Sequence, residues 1–276
     1  GGGTDRLVSG NFSSIWNLTR PGTGSVTGIP GGFVSIETIA GGNGDDNFVF
    51  ADGINLTGVI DGGLGNDTID LSAWTTDLTL DLDLTTRVEN LVGGNASDTL
   101  LATDHDTQFL INGVGSGIAS YTATTVAFSG FESLAGAAGN DSFLIDAGSL
   151  AGSIDGAAGV NSVRADDTVN TWNILTPTSG SVTGIAGTFS SIQSLIGGTS
   201  TDNFVFADGV QSVSPIDGSA GADTATYAAW TTPLSVLIAD HLNIESIVGG
   251  ASSDTITAPD AVNAWTLASP TAGTVN

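Results

Sequence analysis

Apolar and polar residues alternate along this chain with a period of two, in short runs closed by glycine. "DNFVFA" from Asp46, "DTIDLSAW" from Asp67, "LTLDLDL" from Leu78 and "DSFLIDA" from Asp141 are examples. A two-residue period sends successive side chains to opposite faces, and these runs are rich in β-branched and aromatic residues. Each run therefore predicts a short strand with one face buried. Helical spacing is scarcely visible, and 40 glycines oppose long helices.

The strands belong to a repeat. "WNLTRPGTGSVTGI" from Trp16 returns as "WNILTPTSGSVTGI" from Trp172, an offset of 156 residues. The same offset joins Asp46 to Asp202, Asp67 to Asp223, Trp74 to Trp230 and Asp98 to Asp254, without a gap. Within the unit an aspartate closes each glycine turn, at Asp5, Asp46, Asp67, Asp98, Asp141, Asp202, Asp223 and Asp254, with Asn161 in the same slot. Successive spacings are 41, 21, 31, 43, 20, 41, 21 and 31. Several are close to one or two times 20 to 21, which suggests a coil of that length, and the 31 reads as a coil carrying a loop.

Two leads precede the turns. In one, an apolar-Glu strand runs into glycine, and Glu37, Glu89, Glu132 and Glu245 share this slot with Gln193. In the other, Ile-Asp-Gly leads in, at Asp61, Asp155 and Asp217. Eleven residues after the turn residue comes an aromatic: Trp16, Phe109, Trp172 or Trp265. Short strands, glycine corners and a coil-sized period predict an all-β chain, a parallel β-solenoid of the β-helix or β-roll kind. It would have about 20–21 residues per coil and a 156-residue super-repeat. Residues 1–276 then form one continuous segment, with units near 5–160 and 161–276, the second incomplete. Both ends read as cut from a longer repetitive chain, since "WTLASPTAGTVN" stops inside a segment begun in full at Trp16 and Trp172.

Charge narrows the partners. Four arginines and no lysine face 29 acidic residues, for a net charge of −25. With nothing to neutralise phosphates, nucleic acid is excluded, and anionic membrane surfaces are disfavoured. Divalent cations are the natural partners of such a surface. No apolar run is long enough to span a membrane, so no membrane insertion is expected. Cysteine and methionine are absent, and a long repetitive core has no need of disulfides.

"GGNGDDNFV", Gly41 to Val49, and "GGLGNDTID", Gly62 to Asp70, match the nine-residue pattern G-G-x-G-x-D-x-U-x, where U is large and apolar. These stretches resemble the repeats-in-toxin (RTX) family, whose nonapeptides wind into a calcium-loaded parallel β-roll. The intervening "FxSIxxLxGG" strands resemble the β-strand-repeat surface proteins and giant adhesins of Gram-negative bacteria. The resemblance implies an extracellular location on the bacterial cell surface and Ca2+ at the intact turns. The candidate ligands are Gly41, Gly42, Gly44 and Asp46 with Gly62, Gly63, Gly65 and Asp67. Calcium takes six to eight oxygens, and two carboxylates stacked without a cation would repel by about 1–4 kcal/mol. Asn161 in the aspartate slot shows that backbone capping is the minimum requirement of the turn.

Catalytic chemistry finds little support. The four glutamates occupy one repeated slot, whereas a glycosidase pair needs two different environments, so hydrogen-bonded or solvated strand edge is the expectation. His105 in "TDHDT" and His241 in "ADHLN" have no counterpart at the 156 offset and read as loop residues. The function expected is structural and non-enzymatic: a stalk, fibre or adhesin segment. Copies of itself or neighbouring repeats, and cell-surface or matrix glycans, are the further partners. A calcium-binding RTX-type carrier domain of a secreted enzyme or toxin is the alternative, and a carbohydrate-active β-helix ranks below both.

Overall fold

A computed structural model describes residues 3–54, 58–212 and 214–259, together with the strands Trp265–Ser269 and Ala272–Val275. The chain is all-β. Among the described residues there is no α-helix, only the 3-10 turns Leu82–Leu84 and Ile238–Asp240, and no helix long and apolar enough to cross a membrane.

Most strand pairs are parallel, and each joins a strand to one a step further along the chain, most often 20 to 22 residues on. Asn47–Phe50 pairs with Thr68–Asp70 at a step of 21 residues. Ser142–Ile145 pairs with Ser162–Arg164 at a step of 20. Fourteen strands form the largest sheet, ten the next and four a third. Between Ser133 and Arg164 the chain visits the ten- and fourteen-stranded sheets in turn: Ser133–Ala135, Ser142–Ile145, Ile154–Asp155, Ser162–Arg164. The alternation read from sequence is the burial pattern found. In Asn47–Phe50 and Ser142–Ile145 every second residue is buried, and these side chains join one hydrophobic cluster running through the described chain.

The longer spacings have a different origin from the one expected. Where turn residues are 41 or 43 apart, the parallel step is 32 or 34, as in Ile15↔Asn47 and Gln108↔Ser142. This is one step carrying antiparallel strands, not two coils. Thr107–Gly113, Ser116–Tyr121 and Thr124–Ser129 zigzag within the fourteen-stranded sheet, as do Ile15–Arg20, Thr23–Val26 and Ile29–Phe33. The loop expected in the 31-residue step is also structured, as Thr79–Asp81, a 3-10 turn and Thr85–Thr86.

The recurrent aromatics mark these hairpins. Trp16, Phe109 and Trp172 are fully buried. They stack on Phe48, Phe143 and Phe204 of the next step at 5.6, 5.2 and 5.5 Å between ring centroids. Phe33, Phe128 and Phe189 meet the same three rings edge-on. The aromatics fill the core beneath the extra strands. The Trp265 side chain lies outside the described residues.

The 156-residue offset relates equivalent strands but not equivalent sheets. Ile15–Arg20, Asn47–Phe50 and Thr68–Asp70 lie in the fourteen-stranded sheet. Their counterparts Asn170–Thr176, Asp202–Phe206 and Thr224–Thr226 lie in the ten-stranded one.

Candidate functional site

Asp46 and Asp67 are brought together as expected, one step apart and buried. What joins them is a backbone hydrogen bond: Asp46 N–H donates to Asp67 Oδ1 at 2.7 Å. Asp46 in turn accepts from Ser14 N through Oδ1 at 2.8 Å and from Gly42 N through Oδ2 at 2.9 Å. Both of its oxygens are thus engaged by N–H groups. The free carboxylate oxygen of the pair is Oδ2 of Asp67, buried and without a hydrogen-bond partner. Burial pushes the Asp67 carboxyl up to about 6, helped by the nearby charges of Glu89, Asp46 and Asp45 and opposed by the Asp46 N–H.

This bond is one rung of a ladder. Asp98 accepts from Leu78 N, Asp141 from Thr107 N, Asp202 from Asn170 N and Asp254 from Leu234 N. Asn161 accepts from Asp141 N, and Asp223 from Asp202 N, both at 2.7 Å. The glutamate column completes it. Glu37, Glu89, Glu132 and Glu245 each accept, through Oε2, from the backbone N–H of a turn aspartate one step back: Asp5, Asp67, Asp98 and Asp223. Gln193 does the same for Asn161 with Oε1 at 2.7 Å. The glutamates are hydrogen-bonded cap residues, as the single repeated slot implied. The residues two before them, Ser35, Arg87, Ser191 and Asn243, take φ of 50–56°, and Gly130 takes 72°. A left-handed residue there turns the corner that brings the side chain back over the turn.

The two sequence leads correspond to two turn geometries. After an apolar-Glu (or Gln) lead, the residue four before the aspartate donates its N–H to Oδ2. This holds for Gly42, Gly94, Ala137, Gly198 and Gly250. After Ile-Asp-Gly, the equivalent residues Gly63, Ala157 and Ser219 are left-handed, at φ 106°, 55° and 69°. The N–H groups of Ala157 and Ser219 turn instead to Asp155 and Asp217. Two residues before the turn residue, Gly65, Gly159 and Gly221 are left-handed, as Gly3 is before Asp5, whereas Gly44 and Gly139 in turns of the first kind are not. That is why "GGNASD", "GGTSTD" and "GGASSD", all of the first kind, can lose the second-half glycine.

Of the other candidates, His105 is exposed. His241 is not a loop residue: it opens the strand His241–Leu242. Its ring lies between Tyr227 Oη at 2.8 Å and the Leu237 carbonyl at 3.0 Å. With Nδ1 donating to that carbonyl, Nε2 accepts from the Tyr227 hydroxyl. Burial holds the His241 imidazole below its usual range and the Tyr227 phenol above. The pair borders a cavity of about 160 Å³ that Phe206, Ile216 and Val236 also line. No group of three or more His, Cys, Asp or Glu side chains is arranged as metal ligands among the described residues. Sequence reasoning missed this pair because Leu71 and Thr85 replace it in the first unit.

Comparisons of this chain with protein-family models, with curated proteins and with solved structures find no match.

Proposed function

We propose that this chain is a structural segment of a long extracellular bacterial surface protein, wound as a β-solenoid and serving as a stalk, fibre or adhesin body. The observation that supports it is the ladder. The buried N–H groups of Ser14, Asp46, Asp67 and their equivalents find their acceptors on the following step. Each step finishes its neighbour, so length can be added by repetition with no new kind of contact. Buried carboxylates serve this backbone role, and the glutamate column is occupied with it too. The acidic surface favours divalent cations and keeps laterally approaching copies apart. Glycans of cell surfaces or matrices, and neighbouring repeats in a fibre, are the partners of this reading. Electron micrographs of the parent protein are expected to show a thin rod. A compact particle of the same mass would sink the proposal.

The second reading is a calcium-binding carrier domain, and the unpartnered Oδ2 of Asp67 favours it. Calcium would supply positive charge to a buried carboxylate among Glu89, Asp46 and Asp45. Asp67 and carbonyls of the turn Gly62–Asp67 would hold it. Asp46 would contribute shape rather than a free carboxylate. On this reading, adding a chelator lowers the melting temperature and calcium restores it. A melting temperature indifferent to both would dismiss it.

A further inference from the structure

The three turns led by Ile-Asp-Gly share one geometry and differ in a single terminal atom. In each, the side-chain Oδ1 of Asp67, Asn161 or Asp223 accepts a backbone N–H from the step before. Each residue's own N–H is capped by Glu89, Gln193 or Glu245. The other terminus of Asn161 is an amide nitrogen. It donates to the carbonyls of Gly156 at 2.7 Å, Ala158 at 2.9 Å and Ser191 at 3.1 Å. In Asp223 that terminus is Oδ2, buried and without a hydrogen-bond partner, as it is in Asp67.

The two atoms occupy the same place. A Cβ added to Gly156 would fall 2.6 Å from Asn161 Nδ2 and 2.4 Å from the Ser191 carbonyl oxygen. One added to Gly218 would fall 2.6 Å from Asp223 Oδ2 and 2.2 Å from the Asn243 carbonyl oxygen. The N–H that would otherwise satisfy Oδ2 is diverted, because left-handed Ser219 gives it to Asp217. An ionised Oδ2 would face acceptors and acids. The charged groups around it are Asp202 on the step before, Glu245 on the step after and Asp217 in its own lead, all acidic. The place is built for a donor.

We propose that Asp223 is carried in the fold as a neutral carboxylic acid, whose Oδ2–H donates to main-chain carbonyls of its turn as the Asn161 amide does. The proton comes from solvent and bonds to Oδ2 as the turn closes. Burial pushes this carboxyl above its ordinary value near 3.8, the direction the geometry requires. The folded chain then holds a proton that the unfolded chain releases. Its contribution is fully present below the unfolded value and is lost as pH rises through the folded one. The fold therefore tightens as its surroundings turn mildly acidic.

Two reciprocal variants of the 276-residue chain test this, melted at about pH 4.5 and about pH 8 in chelator and again in calcium. Asp223→Asn installs the amide permanently. It is expected to melt about 2–4 °C above the parent near pH 8, the gap closing near pH 4.5. Asn161→Asp creates a third such turn, and it is expected to melt lower near pH 8 and to recover in acid. The infrared carbonyl stretch of a protonated carboxyl in the parent should weaken in Asp223→Asn. If that variant does not fold, the idea is overturned when Asn161→Asp shows no pH-dependent loss. Equal destabilisation of Asp223→Asn at both pH values would overturn it too. So would a calcium-induced rise in the parent's melting temperature that Asp223→Asn lacks, since a cation would then fill the place.

Discussion

Gln193 and Asn161 make the bonds that glutamate and aspartate make elsewhere, so the ladder requires an acceptor at each cap and not a charge. Glu132 illustrates the consequence. Its Oε2 accepts from Asp98 N at 2.8 Å, in a partly buried corner. Glu132→Gln is expected to change stability by less than about 0.5 kcal/mol, since an amide oxygen can take the same N–H. Glu132→Ala leaves that N–H unpaired and is expected to cost about 1–3 kcal/mol in urea unfolding. Equal losses for the two variants would show that the charge matters after all. At this scale the sequence was half legible. The aspartate slot and the two leads were visible as spacing and motif. Whether the second carboxylate oxygen is engaged was not, because that depends on the φ of the residue four places earlier. Gly42 and Gly63 are the same letter with different backbones.

The strands themselves were legible from their two-residue period, and their direction was not. "WNILTPTSGSVTGI" alternates as any strand pair does, and alternation reports which face a side chain takes, not which way the neighbouring chain runs. An antiparallel hairpin inside one step therefore resembled a second coil of about the same length. The aromatic eleven residues past the turn was the available signal, since Trp16, Phe109 and Trp172 each sit in the first strand of a hairpin. Trp172 is fully buried, stacked on Phe204 and met edge-on by Phe189. Trp172→Ala is expected to cost about 3–5 kcal/mol through lost contact and the cavity left behind. A loss below about 1 kcal/mol would mean that the hairpin collapses onto the gap and that the aromatic does not hold it in place.

Across the whole molecule, the exchange of sheets between units follows from the odd piece in each unit, Thr79–Thr86 and its copy Ser235–Leu242. Thr79–Asp81 begins the ten-stranded sheet just where Thr85–Thr86 closes the four-stranded one. A gap-free offset of 156 announced the repeat, but sheet membership depends on how many strands a unit contributes, and the extra short strands were hidden in the odd spacing. The buried rungs carry a further meaning. In each of them the donor comes earlier in the chain and the acceptor later, from Ser14 and Asp46 to Asp223 and Glu245. Exposed aspartates and asparagines outside the turn slot run the other way, as when Asp45 accepts from Asn66 N and Asp106 from Asn140 N. A polypeptide threading out of a pore amino end first would thus present each corner with its inner donors bare until the next stretch emerges to close them. Completion would travel behind the exit like a zip, always one tooth late.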